Sequence, residues 1–514
     1  MAVGWRPGRD ARAEWHPPAP ATRRADEGRH RVVVVGGGIA GLAAATGLAE
    51  RGVRVTLLES TPRLGGRVAA WPVDVGGEEQ AMSRGFHAFF RQYYNLRGLL
   101  RRTDPELARL RPVEDYPLRL KGGPVDSFTH IPLTPPWSII GFVLRSPSFR
   151  LRDLAAVDVE RALALLDVDF PSTFSDFDGV SAAEVLDRLR FPEQARHLAL
   201  EVFARSFFAD PRDFSGGELV AMFHTYFLGS AEGLLFDVPV DDFDTALWRP
   251  LAGHLASLGA DVRLGEPVLD LREQADGVRV VTGEGAYDAD AVVLATDRAP
   301  LQRLVGEAAW LAADAPAWRE RLAGLRSAPS FAVWRRWLDR APASSAAPFL
   351  GTSGYGPLDN LSFFEQLEDG AAAWARRTGG SVVEMHAYAV PAGTSEVQLR
   401  DQLWRETLAL HPELADAGVV HEEWLVREDC PLAGTDAWAT RPGVRTPDRR
   451  IVLAGDGIRC DLPVALMERA ATTGLLAADA LLADWDVAGH GVWSAPTSAR
   501  HAVVPPLRRL LARA

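Results

Sequence analysis

Residues 32–41 read VVVVGGGIAG, and this stretch decides the fold. Its four consecutive valines predict a buried parallel strand, because such strands are covered on both faces and read as apolar runs. Gly36, Gly38 and Gly41 then match the pattern G-x-G-x-x-G, and the residues after them have the apolar spacing of a helix. A strand, a glycine turn and a helix in that order predict a Rossmann-type dinucleotide-binding unit.

Each glycine of this turn serves a separate purpose. Gly36 permits the tight turn, Gly38 lets the backbone approach a pyrophosphate, and Gly41 lets the helix pack closely on the strand. The free N–H groups at the start of the helix, around Ile39 and Ala40, would face the phosphates. The turn is therefore predicted to bind a nucleotide diphosphate.

An acidic residue closes the next predicted strand. Glu59 follows the turn at the usual distance of roughly 20 residues, where a carboxylate can accept hydrogen bonds from both ribose hydroxyls, and Ser60 comes next to it. An acid there favours a ribose without a 2′-phosphate. The alternative is a glycine-rich turn in some other α/β protein, but the strand, the helix and the acid together favour nucleotide binding.

The next residues resemble the second motif of the FAD-dependent amine oxidase and carotenoid desaturase superfamily. This motif, R-x-G-G-R, begins at Arg63, continues through Gly65 and Gly66, and ends at Arg67. In that superfamily the glycines pass close to the flavin and the arginine meets the phosphates of the cofactor. The resemblance implies that the nucleotide is FAD, bound non-covalently.

Three further matches to the superfamily lie downstream. The sequence AGDG at 454–457 follows an apolar strand, and the resemblance implies that Asp456 holds the ribityl and pyrophosphate part of FAD. The helix after it would point its N-terminus at the pyrimidine edge of the flavin, and the strand of GEPVLDL would touch the adenine. With the strand end VVLAT at 292–296, these matches add the following candidate cofactor residues: Val268, Ala295, Gly455, Asp456, Pro463 and Val464.

The resemblance implies an α/β fold with a discontinuous Rossmann-type FAD-binding domain and an inserted α+β substrate domain, as in amine oxidases and phytoene desaturases. Helices are predicted at 183–189, 193–208 and 396–410, and a strand at 382–390. The predicted domain ranges are a disordered tail at 1–29, an FAD-binding domain at 30–100, 250–300 and 445–490, a substrate domain at 101–249 and 301–444, and a C-terminal tail at 491–514.

Longer blocks narrow the resemblance to carotenoid enzymes. Residues 84–100, RGFHAFFRQYYNLRGLL, resemble the plant- and cyanobacterial-type carotenoid desaturases. With Arg84 and Arg91 included, they resemble the bacterial enzymes that aromatise carotenoid end rings, the β-carotene desaturase/methylases or isorenieratene synthases. Blocks 206–239 and 455–474 agree. The resemblance implies desaturation of the β-ionone rings of β-carotene with a 1,2-methyl shift.

His87, Arg91 and Glu468 are the candidate catalytic residues. His87 lies in the desaturase block, and its imidazole titrates near neutrality, as a proton acceptor should. Arg91 could orient a carboxylate or steady the flavin, and Glu468 could be a second base. Each also has a structural interpretation, such as a backbone-bonded histidine or a helix-surface acid. Asp461 is predicted to cap the following helix, and His224 to be a core histidine.

Composition favours an apolar substrate and excludes nucleic acid as a partner. The chain has 514 residues, a net charge of −12, 22 Phe and 15 Trp. The aromatic stretch 219–236 is predicted to be helical and to line a tunnel for the carotenoid, with a plain hydrophobic core as the alternative.

Two cysteines are too few for a disulfide framework or a four-thiolate metal site, so we predict no metal and a cytoplasmic location.

Two segments predict peripheral association with a membrane. No apolar run reaches 18 residues, but PPWSIIGFVL at 135–144 and the basic stretch 500–514 could bind a membrane surface. Each could instead be packed on the protein.

Electrons would leave to a separate acceptor, a quinone or O2. The alternatives left open are an acyclic carotene desaturase or isomerase, another flavin oxidase, acting on amines or porphyrinogens, and a non-enzymatic flavoprotein.

Overall fold

The computed structural model describes residues 7–21, 28–149, 165–190 and 207–501, together with Val504 and Pro506. Two π-helical turns, His224–Leu228 and Asp244–Trp248, each adjoin a helix. The helices in chain order are α1 Ile39–Ala49, α2 Tyr94–Leu100, α3 Trp137–Arg145, α4 Ser172–Asp176, α5 Ala182–Arg188, α6 Gly216–Phe223, α7 Arg249–Ser257, α8 Arg298–Glu307, α9 Pro316–Ala323, α10 Asp369–Thr378, α11 Glu396–Leu410 and α12 Leu466–Asp484.

The described part of the chain contains 22 strands. In chain order they are β1 Glu14–His16, β2 Arg31–Val35, β3 Arg54–Glu59, β4 Ala70–Val75, β5 Glu78–Ser83, β6 Phe89–Phe90, β7 Leu110–Pro112, β8 Leu118–Leu120, β9 Val125–Asp126, β10 Phe236–Pro239, β11 Asp261–Leu264, β12 Val268–Gln274, β13 Gly277–Thr282, β14 Ala286–Ala289, β15 Ala291–Leu294, β16 Ser330–Leu338, β17 Phe349–Ser353, β18 Asn360–Phe363, β19 Ser381–Val390, β20 Val419–Arg427, β21 Ile451–Leu453 and β22 Val492–Ser494.

A five-stranded parallel sheet forms the nucleotide end, in the order β11-β3-β2-β15-β21. All four valines of β2 are buried at its centre, and such a side chain contributes roughly 1.5–3 kcal/mol on burial. Helices α1 and α12 pack on one another beside it. Gly474 allows their close approach, because a Cβ there would lie 2.3 Å from the carbonyl oxygen of Ala40. The predicted Rossmann-type α/β fold is confirmed.

A seven-stranded sheet, in the order β20-β16-β19-β18-β17-β8-β9, forms the other half of the molecule. All its strands come from the two ranges predicted for the substrate domain. The strands of the parallel sheet come from all three ranges predicted for the FAD-binding domain.

The described elements agree with most of the local predictions. Helices α5 and α11 and strand β19 match the predictions at 183–189, 396–410 and 382–390. Of the predicted helix at 193–208, only residues 207 and 208 lie in the described part of the chain. Stretch 219–236 is not one helix, because α6 ends at Phe223 and a π-helical turn and a loop follow it.

The prediction of a disordered tail at 1–29 is wrong for residues 7–21. Strand β1 pairs antiparallel with β22, so the two ends of the chain form one small sheet. Asp10 is buried, and both its carboxylate oxygens accept hydrogen bonds from Arg500, at 2.8 and 3.0 Å. Arg500 therefore binds an internal carboxylate, although it was predicted to belong to a membrane-binding stretch. The rest of that stretch lies largely outside the described residues.

Candidate active site

One continuous cavity of about 1450 Å³ runs from the parallel sheet to the seven-stranded sheet. It passes the carboxyl ends of β2, β3 and β15, which is where ligands bind in open α/β sheets. Most of the predicted cofactor residues line it: Gly36, Gly38, Ile39, Ala40, Glu59, Ser60, Arg63, Gly65, Gly66, Arg67, Val268, Ala295, Gly455 and Asp456.

The glycine turn is shaped for a close approach of backbone and ligand. Gly36 has φ +110°, and a Cβ there would lie 2.4 Å from the carbonyl oxygen of Ala295. A Cβ on Gly41 would lie 1.9 Å from the carbonyl oxygen of Gly36, so Gly41 supports the turn although it does not line the cavity. Helical hydrogen bonding begins with Leu42, which donates to Gly38. The N–H groups of the first turn of α1 therefore have no partner within the helix.

Glu59 occupies the predicted position at the end of β3. Its Oε2 accepts a hydrogen bond from the N–H of Gly37 at 2.7 Å, and its Oε1 accepts one from the N–H of Thr61 at 2.8 Å. The carboxylate is buried and lines the cavity. Because each oxygen has two lone pairs, Oε2 retains acceptor capacity for a ribose hydroxyl.

Two motifs that are far apart in the sequence meet at the middle of the cavity. Arg67 forms an ion pair with Asp456, and its Nε lies 3.4 Å from Oδ1 of Asp297. Burial alone would lower the pKa of Arg67, but these two carboxylates outweigh it and raise the pKa well above its ordinary value. The guanidinium thus keeps a fixed positive charge beside the glycines of its motif.

The residues of the α12 region that line the main cavity come later in the sequence than the predicted Pro463 and Val464. Pro463 and Val464 line a separate pocket of about 10 Å³. The helix begins at Leu466, and its first residues, Leu466 and Met467, line the main cavity instead. Asp461 does not cap this helix, because its Oδ1 accepts a hydrogen bond from the indole of Trp438 at 3.2 Å.

His87 is the one candidate catalytic residue from the sequence that lines the cavity. Its Nδ1 donates to the carbonyl oxygen of Gly85 at 2.8 Å. Burial lowers the pKa of His87 to about 4, against the raising effect of that hydrogen bond. The ring is therefore neutral at pH 7, with Nε2 unprotonated, and it is a weak base.

Arg91 and Glu468 do not line this cavity. Arg91 donates to Asp237 through Nε and Nη2, at 3.1 and 2.9 Å. Glu468 accepts hydrogen bonds from the backbone N–H groups of Asn95 and Leu96, at 2.8 and 2.9 Å, and so caps α2. Burial raises the pKa of Glu468 to about 8, against the lowering by these bonds. Both residues have structural partners in place of the predicted catalytic roles.

The aromatic stretch 219–236 contributes only part of the cavity wall. Met222, Tyr226 and Phe236 line the cavity, whereas Phe223, Phe227 and Leu234 pack elsewhere. The prediction for His224 is confirmed, because its buried ring bonds the carbonyl oxygen of Pro496 at 2.6 Å. Other aromatic residues of the wall lay outside the sequence prediction: Phe90, Tyr116, Phe207, Phe208, Phe331 and Phe349.

Sequence reasoning also missed a polar group at the far end of the cavity. His386 and Tyr388 of β19 and Asn360 of β18 line it there. The signal in the sequence was the alternation Glu384, His386, Tyr388, which places all three side chains on one face of a strand.

Comparison with known proteins identifies the family. The family model described as flavin containing amine oxidoreductase matches residues 39–482. The chain belongs to this family. It is 52% identical to the carotenoid phi-ring synthase of Streptomyces griseus, with 99% of this chain and 98% of that protein covered. It is also 27% identical to the carotenoid phi-ring synthase of Chlorobaculum tepidum, with 88% of each covered. The predicted resemblance to the amine oxidase and carotenoid desaturase superfamily is confirmed.

Solved structures support the same fold. A putrescine oxidase variant superposes with a TM-score of 0.65 at 17% identity, covering 88% of this chain and 99% of that one. An oxidoreductase from Methanosarcina mazei superposes with a TM-score of 0.63, also at 17% identity, covering 87% and 99%. At these identities the similarity concerns the fold alone.

The cavity of this flavoenzyme fits FAD. The turn at Gly36 and Gly38 leaves room for a pyrophosphate, the first turn of α1 offers N–H groups, and Arg67 supplies a positive charge. Glu59 keeps acceptor capacity for the ribose. The protein is an FAD-dependent oxidoreductase, and FAD supplies hydride acceptance when it is bound.

Proposed function

We propose that this flavoenzyme converts the β-ionone rings of a carotenoid, β-carotene in the first instance, into aromatic rings with a 1,2-methyl shift. The observation that carries the proposal is the 52% identity to the carotenoid phi-ring synthase of Streptomyces griseus across nearly all of both chains. The aromatic wall of the cavity supports it, because a carotenoid is a long hydrocarbon and needs an apolar channel.

The chemistry of the ring defines what the protein must do. A β-ring contains a carbon with two methyl groups, which cannot become aromatic until one methyl moves to its neighbour. Loss of a hydride leaves an allylic cation that can drive this shift, and proton loss then restores a double bond. A second loss of a hydride and a proton is needed to complete the aromatic ring, so four hydrogens leave each ring. The chain must therefore hold the ring, stabilise a cation and accept a proton.

Aromatic side chains beside the desaturase block suit the cation. The rings of Phe86 and Phe349 have centroids 4.5 Å apart, and Phe86 and Phe236 are 6.0 Å apart in an edge-on arrangement. All three line the cavity. An aromatic face stabilises a nearby cation by about 0.5–2 kcal/mol. Together they support a site in which positive charge forms away from water.

Expression in a host that makes β-carotene tests the proposed function. We expect products that have lost four hydrogens per converted ring, read by mass spectrometry, and no conversion with a Gly41→Val control that cannot form the glycine turn. Unchanged β-carotene together with a consumed acyclic carotene would instead indicate a desaturase. Oxidation of added amines, with every carotene unchanged, would indicate an amine oxidase. Assays with O2 and with a quinone would identify the electron acceptor, which we propose to be one of these two.

We further propose that α3 docks the protein on the membrane that holds the substrate. No helix in the described part of the chain combines the length and apolarity needed to cross a bilayer. Trp137, Ile140 and Leu144, which are 62%, 42% and 68% exposed, form an apolar stripe on α3. The helix packs on the π-helical turn 224–228, whose Tyr226 lines the cavity.

Liposome sedimentation tests this docking. Phe142 is unsuitable as a variant, because it is buried and stacks on Phe128. Trp137→Asp with Leu144→Asp should release the protein from liposomes at unchanged flavin content. Val397→Asp is the matched control, since Val397 is 68% exposed on α11. If the double variant sediments like the parent, α3 is not the docking surface.

A further inference from the structure

Three alternate residues of β19 form a hydrogen-bonded chain that ends in the cavity. Nε2 of His386 lies 2.7 Å from Oε1 of Glu384, and Nδ1 of His386 lies 2.7 Å from the hydroxyl oxygen of Tyr388. The side chains share one face because successive residues of a strand point to opposite sides. His386 and Tyr388 line the cavity, and Glu384 is fully buried behind them.

The surroundings of Glu384 fix the direction of these bonds. Nε of Arg335 donates to its Oε2, and the backbone N–H of Phe86 donates to its Oε1, both at 2.8 Å. Burial alone would raise the pKa of Glu384, but Arg335 and His386 outweigh it and lower the pKa to about 2. The carboxylate is thus an anion that can only accept, so Nε2 of His386 must carry hydrogen.

With that hydrogen on Nε2, Nδ1 of His386 is the ring nitrogen that can accept the hydroxyl hydrogen of Tyr388, 2.7 Å away. Asn360 supports this order, because its Nδ2 donates to the same hydroxyl oxygen at 2.9 Å. One lone pair of that oxygen remains without a partner among the described residues, and Tyr388 lines the cavity. The hydroxyl can therefore receive a proton while passing its own to His386.

The backbone at Gly85 leaves room for the imidazole of His386. A Cβ on Gly85 would lie 2.5 Å from Cε1 of His386, and Gly85 has φ +104°. Glycine at this position therefore both permits the turn and admits the imidazole. His87, two residues after Gly85, lies in the same cavity. The hydrogen-bonded residues of β19 therefore lie beside the desaturase block, residues 84–100.

We propose that Tyr388 accepts the proton that the ring loses in aromatisation, with His386 taking the proton of the tyrosine and Glu384 positioning His386. The inference rests on the proposed function. The C–H bond next to the cation breaks, its electron pair becomes the new double bond, and its proton goes to the oxygen of Tyr388. The hydroxyl proton moves to Nδ1 of His386, which becomes an imidazolium paired with Glu384.

This assignment favours Tyr388 and His386 over His87. His87 uses its Nδ1 on a backbone carbonyl and has no carboxylate hydrogen-bonded to its ring among the described residues, whereas His386 has Glu384 at 2.7 Å. A carboxylate beside an imidazole stabilises the protonated ring. A C–H bond next to a carbocation gives up its proton readily. The hydroxyl of Tyr388, backed by His386 and Glu384, is therefore a sufficient acceptor.

Single turnovers with FAD-loaded protein and β-carotene, without oxygen, test the role of Tyr388. One FAD accepts two electrons, so a single turnover removes one hydride and one proton and ends at a ring product that has lost two hydrogens. In Tyr388→Phe we expect the loss of flavin absorbance within threefold of the parent rate, and the product that has lost two hydrogens slower by about a hundredfold or more. His386→Asn should give the same pattern, and the double variant should be no slower than either, because the two residues act as a unit. Tyr287→Phe is the control, since it removes a hydroxyl bonded to Glu266 outside the cavity.

Each contrary result has a distinct meaning. Formation of the product that has lost two hydrogens at the parent rate in Tyr388→Phe, or additive losses in the double variant, would overturn the proton relay and leave the proposed function standing. Equal slowing of flavin absorbance loss and product would place Tyr388 in substrate positioning and also overturn the relay. If the parent makes no aromatic product when O2 or a quinone is also supplied, the proposed function fails and the relay fails with it.

Discussion

Glu59 allows a sharp test of how this chain selects its cofactor. Both carboxylate oxygens hold backbone N–H groups, those of Gly37 and Thr61, at 2.7 and 2.8 Å. The remaining acceptor capacity faces the cavity, where the adenosine ribose of FAD is expected. Glu59→Gln keeps the shape of the side chain but removes its charge, and its amide NH2 cannot accept a hydrogen bond.

Two free energies change in this variant. A hydrogen bond between a ribose hydroxyl and a carboxylate is worth about 1.5–3 kcal/mol, so FAD should bind roughly ten- to a hundredfold more weakly. The amide NH2 also faces the N–H of Gly37 or Thr61 in place of an acceptor. An unsatisfied buried donor costs about 1–3 kcal/mol, so the free energy of unfolding of the apoprotein should fall as well.

Binding of FAD and FMN to the apoprotein, followed by flavin fluorescence, separates these effects. FMN lacks the adenosine, so its Kd should stay within about twofold of the parent value, whereas the Kd of FAD should rise. Glu79→Gln, at an exposed position, is the control for a lost surface charge. An unchanged Kd for FAD would refute the ribose contact. Equal weakening of FAD and FMN would show that the variant had damaged the glycine turn instead.

Three further predictions concern stability. Burial lowers the pKa of His224 to about 4 from an ordinary 6.5, so the unfolded chain takes up the proton first. About 3 kcal/mol of stability should therefore be lost as the pH falls from 6.5 to 4, and His224→Gln should flatten the dependence of Tm on pH. Glu218→Gln leaves buried Arg469 without its carboxylate, 2.6 Å away, and urea unfolding should show a loss of about 3–5 kcal/mol. Asp10→Asn removes the charge that pairs with Arg500, so limited proteolysis at residues 7–21 should be faster while flavin content stays constant.

The nucleotide end could be predicted from sequence because its determinants are local. Strand β2, the glycine turn and Glu59 lie within one short segment. Each can be recognised from residue types and spacings inside that segment, without knowledge of distant contacts. The turn and the acid accordingly line the cavity as predicted. Downstream, the AGDG motif at 454–457 is predicted only by resemblance, and the ion pair of its Asp456 with Arg67 forms only when the strands are assembled.

The incorrect predictions have a common physical cause. Glu468 follows a cofactor motif closely in sequence, but α12 turns its side chain toward the first N–H groups of α2, away from the cavity. Residues 7–21 lack any apolar run, and their order comes from pairing with β22, which lies at the other end of the chain. In both cases the partner is hundreds of residues away, so no local pattern could indicate it.

Tyr388 and His386 illustrate what such long-range assembly adds to function. Their spacing in the sequence is that of any strand, and only the sheet order puts β19 between β16, which carries Arg335, and β18, which carries Asn360. Arg335 then holds Glu384 as an anion, and Asn360 orients the hydroxyl of Tyr388. The direction of the proposed proton transfer thus depends on neighbouring strands, and the same three residues on an isolated strand would have no preferred order of donors and acceptors.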